Sequence, residues 1–224
     1  MKRRVAFTDR DEAGRALAVA LRGLALQPPL VVLALPRGGV PVAAQVARAF
    51  DVPLELLLVR KIGAPWQREL AVAAVVDGTP PDLVVDDETL AASGTARAWI
   101  DSQYAVEVRE LERRRSAYLR GRPAPELRGA TVVVVDDGIA TGTTMRAALV
   151  ALRRRRPARL ILAVPVAPAE TLARLRCEVD DIVCPQTPAP FHAIGLHYAD
   201  FHQLSDDEVL QILDAVNAPH EPPA

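Results

Sequence analysis

The residues best suited to chemistry lie in one uninterrupted stretch, residues 132–144, which reads VVVVDDGIATGTT. Four valines lead directly into Asp136 and Asp137, whose carboxylates can accept hydrogen bonds from two neighbouring hydroxyl groups. The turn that follows, from Thr141 to Thr144, can offer backbone N–H groups and hydroxyls to a phosphate at the start of a helix. Together these groups suit one kind of ligand, a ribose that carries a 5′-phosphate.

The flanking residues predict how this stretch is positioned. Residues 132–135 form a short β-branched run, which is typical of a strand buried on both faces of a parallel sheet. Ligands of such sheets bind at the carboxyl ends of the strands, where the two acids fall. Gly138 and Gly142 permit tight turning and a close approach of the backbone. Apolar residues then recur with helical spacing, so a helix that begins near Thr143 should direct its positive dipole end at the turn.

In its order and spacing the stretch resembles the 13-residue phosphoribosyl-pyrophosphate signature of the type I phosphoribosyltransferases. Asp-Asp-Gly alone would also fit an ordinary turn between a strand and a helix, with a threonine as the helix cap. In the resembled family the two acids hold the ribose hydroxyls, and the T-G-x-[ST] turn holds the 5′-phosphate. The resemblance implies the first role for Asp136 and Asp137. It implies the second role for the four residues of the turn: Thr141, Gly142, Thr143 and Thr144.

Ala140 bears on which acceptor the family resemblance implies. In members that use 6-oxopurines, the residue immediately before Thr-Gly is an aspartate that protonates or holds the purine. Here that residue is Ala140, so the resemblance argues against hypoxanthine, guanine or xanthine as the acceptor. Alanine at this position is found in the adenine-type pattern, but one residue does not identify adenine.

A second turn follows the apolar strand predicted to end at Leu35. It consists of Pro36, Arg37, Gly38 and Gly39. Arg37 places a cation at the carboxyl end of a strand, and the two glycines let backbone amides approach an anion. A tight turn with a solvated arginine would give the same sequence. In the resembled family the loop at this position, the pyrophosphate loop, binds the leaving group and often contains an unusual peptide bond.

Arg60 and Lys61 form the third candidate segment. Residues 56–59 predict a buried strand that ends in these two cations, which repel each other unless an anion or water lies between them. A solvated pair is therefore the alternative to an anion site. The string RKIGAP also resembles a segment of adenine and orotate phosphoribosyltransferases, in which the arginine and lysine face the pyrophosphate. Residues 63–69 would then be the mobile catalytic loop, although they are few for a lid that excludes water.

The resemblance implies transfer of a 5-phosphoribosyl group from 5-phosphoribosyl diphosphate (PRPP) to a nitrogenous base or a related acceptor, with release of pyrophosphate. This reaction builds positive charge on the sugar and negative charge on the leaving group, so the protein acts by positioning and charge stabilisation. We expect Mg²⁺ to be bound mainly by oxygens of PRPP and to reach Asp136 through water. The remaining positive charge would come from Arg37, Arg60 and Lys61.

Two other functions fit the same motifs. A regulator or sensor could bind PRPP or a nucleotide in this pocket without turnover, and a basic face formed by residues 113–115 and 153–156 would link it to RNA or DNA. A hydrolase or phosphorylase that acts on ribosyl phosphates is the third hypothesis. Retention of Arg37, Arg60 and Lys61 favours the transferase, because a regulator would not need the cations that face pyrophosphate.

The order of apolar runs predicts an α/β fold, a twisted parallel sheet flanked by helices, in a single domain spanning residues 1–224. Residues 86–121 indicate a helical insertion with one apolar stripe, through which we expect the chain to form a homodimer. Residues 185–216 would form a small C-terminal hood. Its aromatic residues fit either core packing or a stacking surface for the base; they are Phe191, Tyr198 and Phe201.

Composition argues against several classes of function. The formal net charge is −1, so no overall field favours nucleic acid or a membrane surface. No apolar run approaches the roughly 18 residues that a membrane-spanning helix needs. The charged residues 1–14 are not followed by the apolar core of a secretory signal. The two cysteines form neither a C-x-x-C motif nor a disulfide framework, so we expect a cytoplasmic protein.

Overall fold

The computed structural model describes residues 5–218, so residues 1–4 and 219–224 of the predicted domain lie outside the described residues. The strands are β1 (Leu30–Ala34), β2 (Leu54–Leu56), β3 (Val59–Ala64), β4 (Gln67–Val76), β5 (Asp82–Val85), β6 (Thr131–Val135), β7 (Arg159–Ala163) and β8 (Asp181–Val183). The α-helices are α1 (Arg10–Leu21), α2 (Gly39–Phe50), α3 (Asp87–Ser93), α4 (Arg97–Leu119), α5 (Thr143–Arg154), α6 (Ala169–Leu175) and α7 (Asp206–Asn217). Short 3₁₀ turns occupy Arg22–Leu24, Arg176–Glu178 and Ile194–His197.

A parallel sheet with the strand order β2-β1-β6-β7-β8 forms the centre of the molecule, which confirms the predicted fold class. The four valines of β6 are fully buried, because this strand lies in the middle of the sheet between layers of helices. Strand β1 pairs with β6 in a register that sets Ala34 opposite Val135. The turns that follow these two strands are therefore neighbours at one edge of the sheet.

A second, antiparallel sheet with the order β3-β4-β5 corrects the prediction for residues 56–69. The predicted strand across 56–59 is wrong, because β2 ends at Leu56 and the chain enters the other sheet at Val59. Arg60 and Lys61 therefore lie within β3 and not at the carboxyl end of a parallel strand. Residues 63–69, predicted as a loop, instead form the β3–β4 hairpin, in which Ala64 pairs with Gln67.

Helices α3 and α4 occupy most of the predicted insertion. Helix α4 packs against β3 and β4, and it buries Ile100, Leu111 and Tyr118 in the main apolar core. The indole nitrogen of Trp99 donates a hydrogen bond of 2.9 Å to the carbonyl of Gly63 in the hairpin. The helix thus braces the antiparallel sheet, and the homodimer expected through this region stays a prediction.

The segment before α1 meets residues 197–200 beside the parallel sheet. Phe7 forms a parallel bridge with Tyr198, and the amide of Ala199 donates a hydrogen bond to the carbonyl of Phe7. Helix α7 packs against α2 and β2, and it buries Val209 and Leu213 in the core. Of the predicted hood, only the part before α7 therefore lies beside the acid-containing turn.

Helices within residues 5–218 would have to be both long and strongly apolar to cross a bilayer. No helix in this range is both long enough and apolar enough to do so.

Candidate functional site

The start of α5 has the features of an anion site. Gly142, which precedes the helix, has a φ of 81°, a left-handed conformation that glycine adopts without steric cost. No side chain within residues 5–218 makes a capping hydrogen bond to the start of this helix. The first turn borders a cavity of about 130 Å³ that is also lined by Asp136 and Thr141. Backbone N–H groups and the positive end of the helix dipole are therefore available to an anion there.

Asp136 is half-buried at the end of β6 and lines the same cavity. Its Oδ1 atom accepts a hydrogen bond of 2.8 Å from the backbone N–H of Asp137. Burial raises the pKa of the Asp136 carboxyl well above its ordinary value, and the adjacent Asp137 carboxyl raises it further. A hydroxyl donor or a cation brought by a ligand would favour the ionised form of Asp136.

Asp137 has different surroundings although it is the next residue. It is buried, and its Oδ2 atom accepts a hydrogen bond of 2.9 Å from Nε of Arg10. Burial raises the pKa of the Asp137 carboxyl, whereas Arg10 lowers it by favouring the charged form. The structure therefore brings both predicted acids to the strand end, and of the two only Asp136 lines the cavity beside α5.

The turn after β1 lies directly against the acids. A Cβ atom added to Gly38 would overlap Oδ2 of Asp137, and one added to Gly39 would sit 2.8 Å from the carbonyl oxygen of Val135. Both contacts are too close for a side chain, so the two turns pack through bare backbone. The Pro36–Arg37 peptide bond is cis, at the position where the resembled family often has an unusual bond.

Arg37 extends from this turn towards α7. Its Nη1 atom lies 3.5 Å from Oδ1 of Asp206, the first residue of that helix, and both side chains are partly exposed. The same carboxylate oxygen accepts a hydrogen bond of 2.5 Å from the hydroxyl of Tyr118 on α4. Burial and this contact with Asp206 raise the pKa of Tyr118 to about 12, so the phenol keeps its proton at neutral pH. Arg37 is thus partly exposed in a turn that packs against the two acids.

The two cations of β3 point in different directions, because successive side chains of a strand alternate between its faces. Nε of Arg60 donates a hydrogen bond of 2.8 Å to Glu107 on α4. Lys61 instead lines a small cleft that it shares with Thr143 at the start of α5. Its Nζ atom is 4.0 Å from Glu69, a contact that is exposed and weak. The structure therefore brings Lys61 to the phosphate turn and directs Arg60 towards α4.

The hood packs closely over the β6–α5 turn. A Cβ atom added to Gly138 would lie 2.6 Å from the side chain of Ile194, so glycine is required for this contact. The hydroxyl of Tyr198 donates a hydrogen bond of 2.6 Å to the backbone carbonyl of Asp137. The Tyr198 ring is buried between Phe7 and Phe201. For Tyr198, core packing is the alternative that the structure supports.

The sequence matches the phosphoribosyl transferase domain family over residues 10–200. The chain belongs to the phosphoribosyltransferase family. This match confirms the family resemblance inferred from residues 132–144. It also confirms that the chain contains a phosphoribosyl transferase domain.

Two relatives and one solved structure resemble this phosphoribosyltransferase domain over nearly its whole length. Two proteins of Mycobacterium tuberculosis strains, CDC 1551 / Oshkosh and ATCC 25618 / H37Rv, are provisionally named phosphoribosyl transferases and are 41% identical over 227 residues. Each match covers 97% of this chain and 51% of the relative, so the chain spans about half the length of the curated relatives it matches. The crystal structure of TT1426 from Thermus thermophilus has 41% identity and a TM-score of 0.80, covering 92% of this chain and 97% of that chain.

The basic face considered for a nucleic-acid regulator is largely neutralised in this phosphoribosyltransferase domain. Six of the seven arginines in the two basic runs form ion pairs with carboxylates of the domain itself. Those pairs join Arg113 and Arg114 to Glu110, Arg115 to Asp77, Arg153 to Asp180, and Arg154 and Arg155 to Asp82. Because these charges are paired internally, they give little support to a phosphate-binding surface.

Arg10 is the site residue that sequence reasoning missed. It is the first residue of α1 and is only 8% exposed, on the same helical face as Ala13 and Leu17. A charged residue on the buried face of a helix needs a buried partner of opposite charge. The helical spacing of Arg10 with apolar residues was therefore the sequence signal for a buried ion pair. The partner, Asp137, is 127 residues away and could not be identified from local pattern.

Proposed function

We propose that the protein transfers a 5-phosphoribosyl group from PRPP to a nitrogenous acceptor and releases pyrophosphate. The observation that carries this proposal is the single cavity that combines the uncapped start of α5 with the half-buried Asp136. Family membership supports a phosphoribosyl donor, and the cavity offers groups for both ends of its sugar phosphate. If the acceptor is a nucleobase, the product is a nucleotide, which would place the reaction in nucleotide salvage.

In this proposal the donor binds across the β6–α5 turn. Backbone N–H groups around Gly142 and Thr143, with hydroxyls of Thr141 and Thr144, hold the 5′-phosphate. Asp136 accepts hydrogen bonds from the ribose hydroxyls and so fixes the sugar relative to the helix. Holding donor and acceptor in one orientation supplies a large part of the rate enhancement in such a displacement.

The cations stabilise the leaving group in the same proposal. Arg37 lies in the turn after β1 and Lys61 lies on β3, and the ion pair that each makes within the described residues is long or exposed. Both can therefore turn to a pyrophosphate at small cost. Arg60 would have to leave Glu107 first, because its 2.8 Å contact directs it towards α4. We therefore assign Arg37 and Lys61 the larger share of charge stabilisation.

The proposed donor implies Mg²⁺, and the residues present fit that ion. Mg²⁺ is commonly bound through one or two carboxylates together with substrate phosphates and water. Asp136 supplies one such carboxylate at the cavity, and burial has raised its pKa in a way that a nearby cation would offset. When bound, the ion would neutralise negative charge on the diphosphate. Asp136 would contact it through water while it also orients the sugar.

The surroundings of Ala140 bear on which class of acceptor the protein uses. Ala140 is exposed at the turn, and its carbonyl accepts a hydrogen bond of 2.8 Å from the hydroxyl of Thr171 on α6. This position therefore offers no acid to a 6-oxopurine, which favours other nitrogenous acceptors. The cytoplasmic location expected from the sequence stays a prediction.

Pyrophosphate release from PRPP in the presence of Mg²⁺ tests the proposed function. We expect release that depends on at least one member of a panel of purines, pyrimidines and small amines, and that is lost in Asp136→Asn. Asp101→Asn is the matched control, because Asp101 is an exposed carboxylate on α4 whose only ion pair within residues 5–218 is with Arg97. Binding of PRPP without release for any acceptor would favour the regulator, and absence of both would contradict the proposal.

A further inference from the structure

Arg10 makes contacts that are unusual for an arginine at a helix start. Its Nε atom donates to Oδ2 of Asp137 at 2.9 Å, and its Nη1 atom donates to the carbonyl of His202 at 3.0 Å. The guanidinium carbon lies 3.9 Å from the centre of the Phe201 ring, within the range of a cation–π contact. One buried cation therefore joins α1, the acid-containing turn and the hood.

The Asp137 side chain is enclosed on its other sides as well. The bare Cα of Gly38 lies against its carboxylate, so closely that an added Cβ would clash with Oδ2. The Asp137 side chain is 10% exposed, similar to the 9% of Arg10. Asp136, by contrast, lines the cavity beside α5. The two neighbouring acids therefore differ in what they can reach.

We propose that Arg10 is a positioning residue that withdraws Asp137 from ligand contact, so that Asp136 alone of the pair contacts the ribose hydroxyls. This inference rests on the proposed phosphoribosyl donor and deepens the assignment of its binding site. It departs from the equal roles that the family resemblance implies for the two acids. The Asp137 carboxylate is instead enclosed by Arg10 on one side and the backbone of Gly38 on the other.

The physical cost of breaking a buried ion pair makes the inference testable. Removing one partner leaves an unpaired buried charge and is strongly destabilising, whereas replacing both partners is often close to neutral. Arg10→Met with Asp137→Asn removes both charges, so this double variant should fold better than Arg10→Met alone. Ligand binding by the double variant therefore shows whether the Asp137 carboxylate contacts the ligand.

The experiment is calorimetric titration with PRPP and Mg²⁺, and with ribose 5-phosphate and 2-deoxyribose 5-phosphate. We expect Asp136→Asn to weaken PRPP binding by about tenfold and to reduce the preference for ribose over deoxyribose, because a charge-assisted hydrogen bond is lost. The double variant should bind within about threefold of wild type and keep that preference. Arg10→Met alone should bind more weakly than the double variant, and Arg10→Lys should recover part of the loss.

Arg159→Met is the matched control. Arg159 also donates from Nε to a carboxylate, Asp181 at 2.8 Å, and from Nη1 to a backbone carbonyl, Leu24 at 3.0 Å. It lies at the start of β7, at the opposite end of the sheet from the cavity. This variant should lower the midpoint of thermal unfolding while affinity and sugar preference stay unchanged. A general loss of stability is thereby separated from an effect on the site.

The outcomes distinguish this inference from the proposed function. If the folded double variant loses as much affinity as Asp136→Asn, Asp137 contacts the ligand and the inference is overturned while the donor assignment stands. If Arg10→Met binds all three ligands as wild type does, Arg10 has no positioning role. If wild type binds neither PRPP nor ribose 5-phosphate, the proposed function itself fails. Retained binding in the double variant, with loss in Asp136→Asn, supports the inference.

Discussion

Two adjacent residues of one type have unlike roles when their surroundings differ. Asp136 borders a cavity and Asp137 is held in a buried ion pair, although both end the same strand. The difference arises from one arginine and one glycine that are distant in sequence, Arg10 and Gly38. At the scale of single residues, the site is therefore defined by what lies against each carboxylate.

Gly38→Ala tests the close packing at this point. The new methyl group would meet Oδ2 of Asp137 and displace the ion pair with Arg10. We expect a loss of about 1–3 kcal/mol in the free energy of unfolding, which chemical denaturation can measure. Gly23→Ala is the control, because a Cβ added there meets no atom within 4 Å. Equal stabilities of the two variants would contradict the packing described here.

The contacts of His202 lead us to expect that the stability of the protein depends on pH. Its ring nitrogens contact Asp200 at 3.2 Å and Glu208 at 3.1 Å, and these hydrogen bonds raise its pKa above 6.5. Because the folded pKa is the higher one, the stabilisation is complete below pH 6.5 and is lost as the pH rises through the folded value.

Thermal unfolding of wild type and His202→Gln across this range measures the effect. The midpoint difference should be largest on the acid side of pH 6.5 and should shrink as the pH increases. A difference that stays constant with pH would show that His202 acts without its charge.

Among the strands and helices, those that could be predicted have a recognisable pattern within their own residues. The valines of β6 and the helical spacing after Thr143 predicted a buried parallel strand and α5, because burial on both faces requires a continuous apolar run. The antiparallel sheet was missed because Arg60 and Lys61 interrupt the apolar pattern of β3. Its turn, Pro65-Trp66, also lacks the Asn-Gly or Asp-Gly signal of a two-residue hairpin.

The candidate site shows the same division. Asp136, Gly142 and the threonines could be found because one contiguous string contains them. The directions of Arg60 and Lys61 could not be found, since they depend on the face that β3 presents to α4 and α5. Contacts between elements far apart in sequence fix such directions.

Trp99→Phe tests whether α4 braces the hairpin. The change keeps an aromatic ring but removes the hydrogen bond to the carbonyl of Gly63, so stability should fall by about 1 kcal/mol. Hydrogen exchange in residues 59–76 should become faster, because this contact holds the hairpin to the helix. Trp66→Phe at the exposed turn is the control and should leave exchange unchanged. Unaltered exchange in both variants would contradict the bracing role.

At the scale of the whole molecule, the parts near both ends of the described chain converge on one turn. The segment before α1 pairs with residues 197–200, and Arg10 at the start of α1 contacts Asp137 in the turn after β6. The chain spans about half the length of its curated relatives, so this convergence describes a phosphoribosyltransferase domain and its site. Within that domain, we propose that the start of α5 receives the phosphate of a phosphoribosyl group.

Backbone amide NMR during titration with ribose 5-phosphate tests that claim most directly. We expect saturable shifts that are largest for the amides of residues 141–145, since N–H groups at a helix start would donate to the phosphate. Inorganic phosphate should shift the same amides, while only the sugar phosphate should also shift the amide of Asp137, which donates to the Asp136 carboxylate. Largest shifts at another surface, or none at residues 141–145, would contradict a phosphate site at the start of α5.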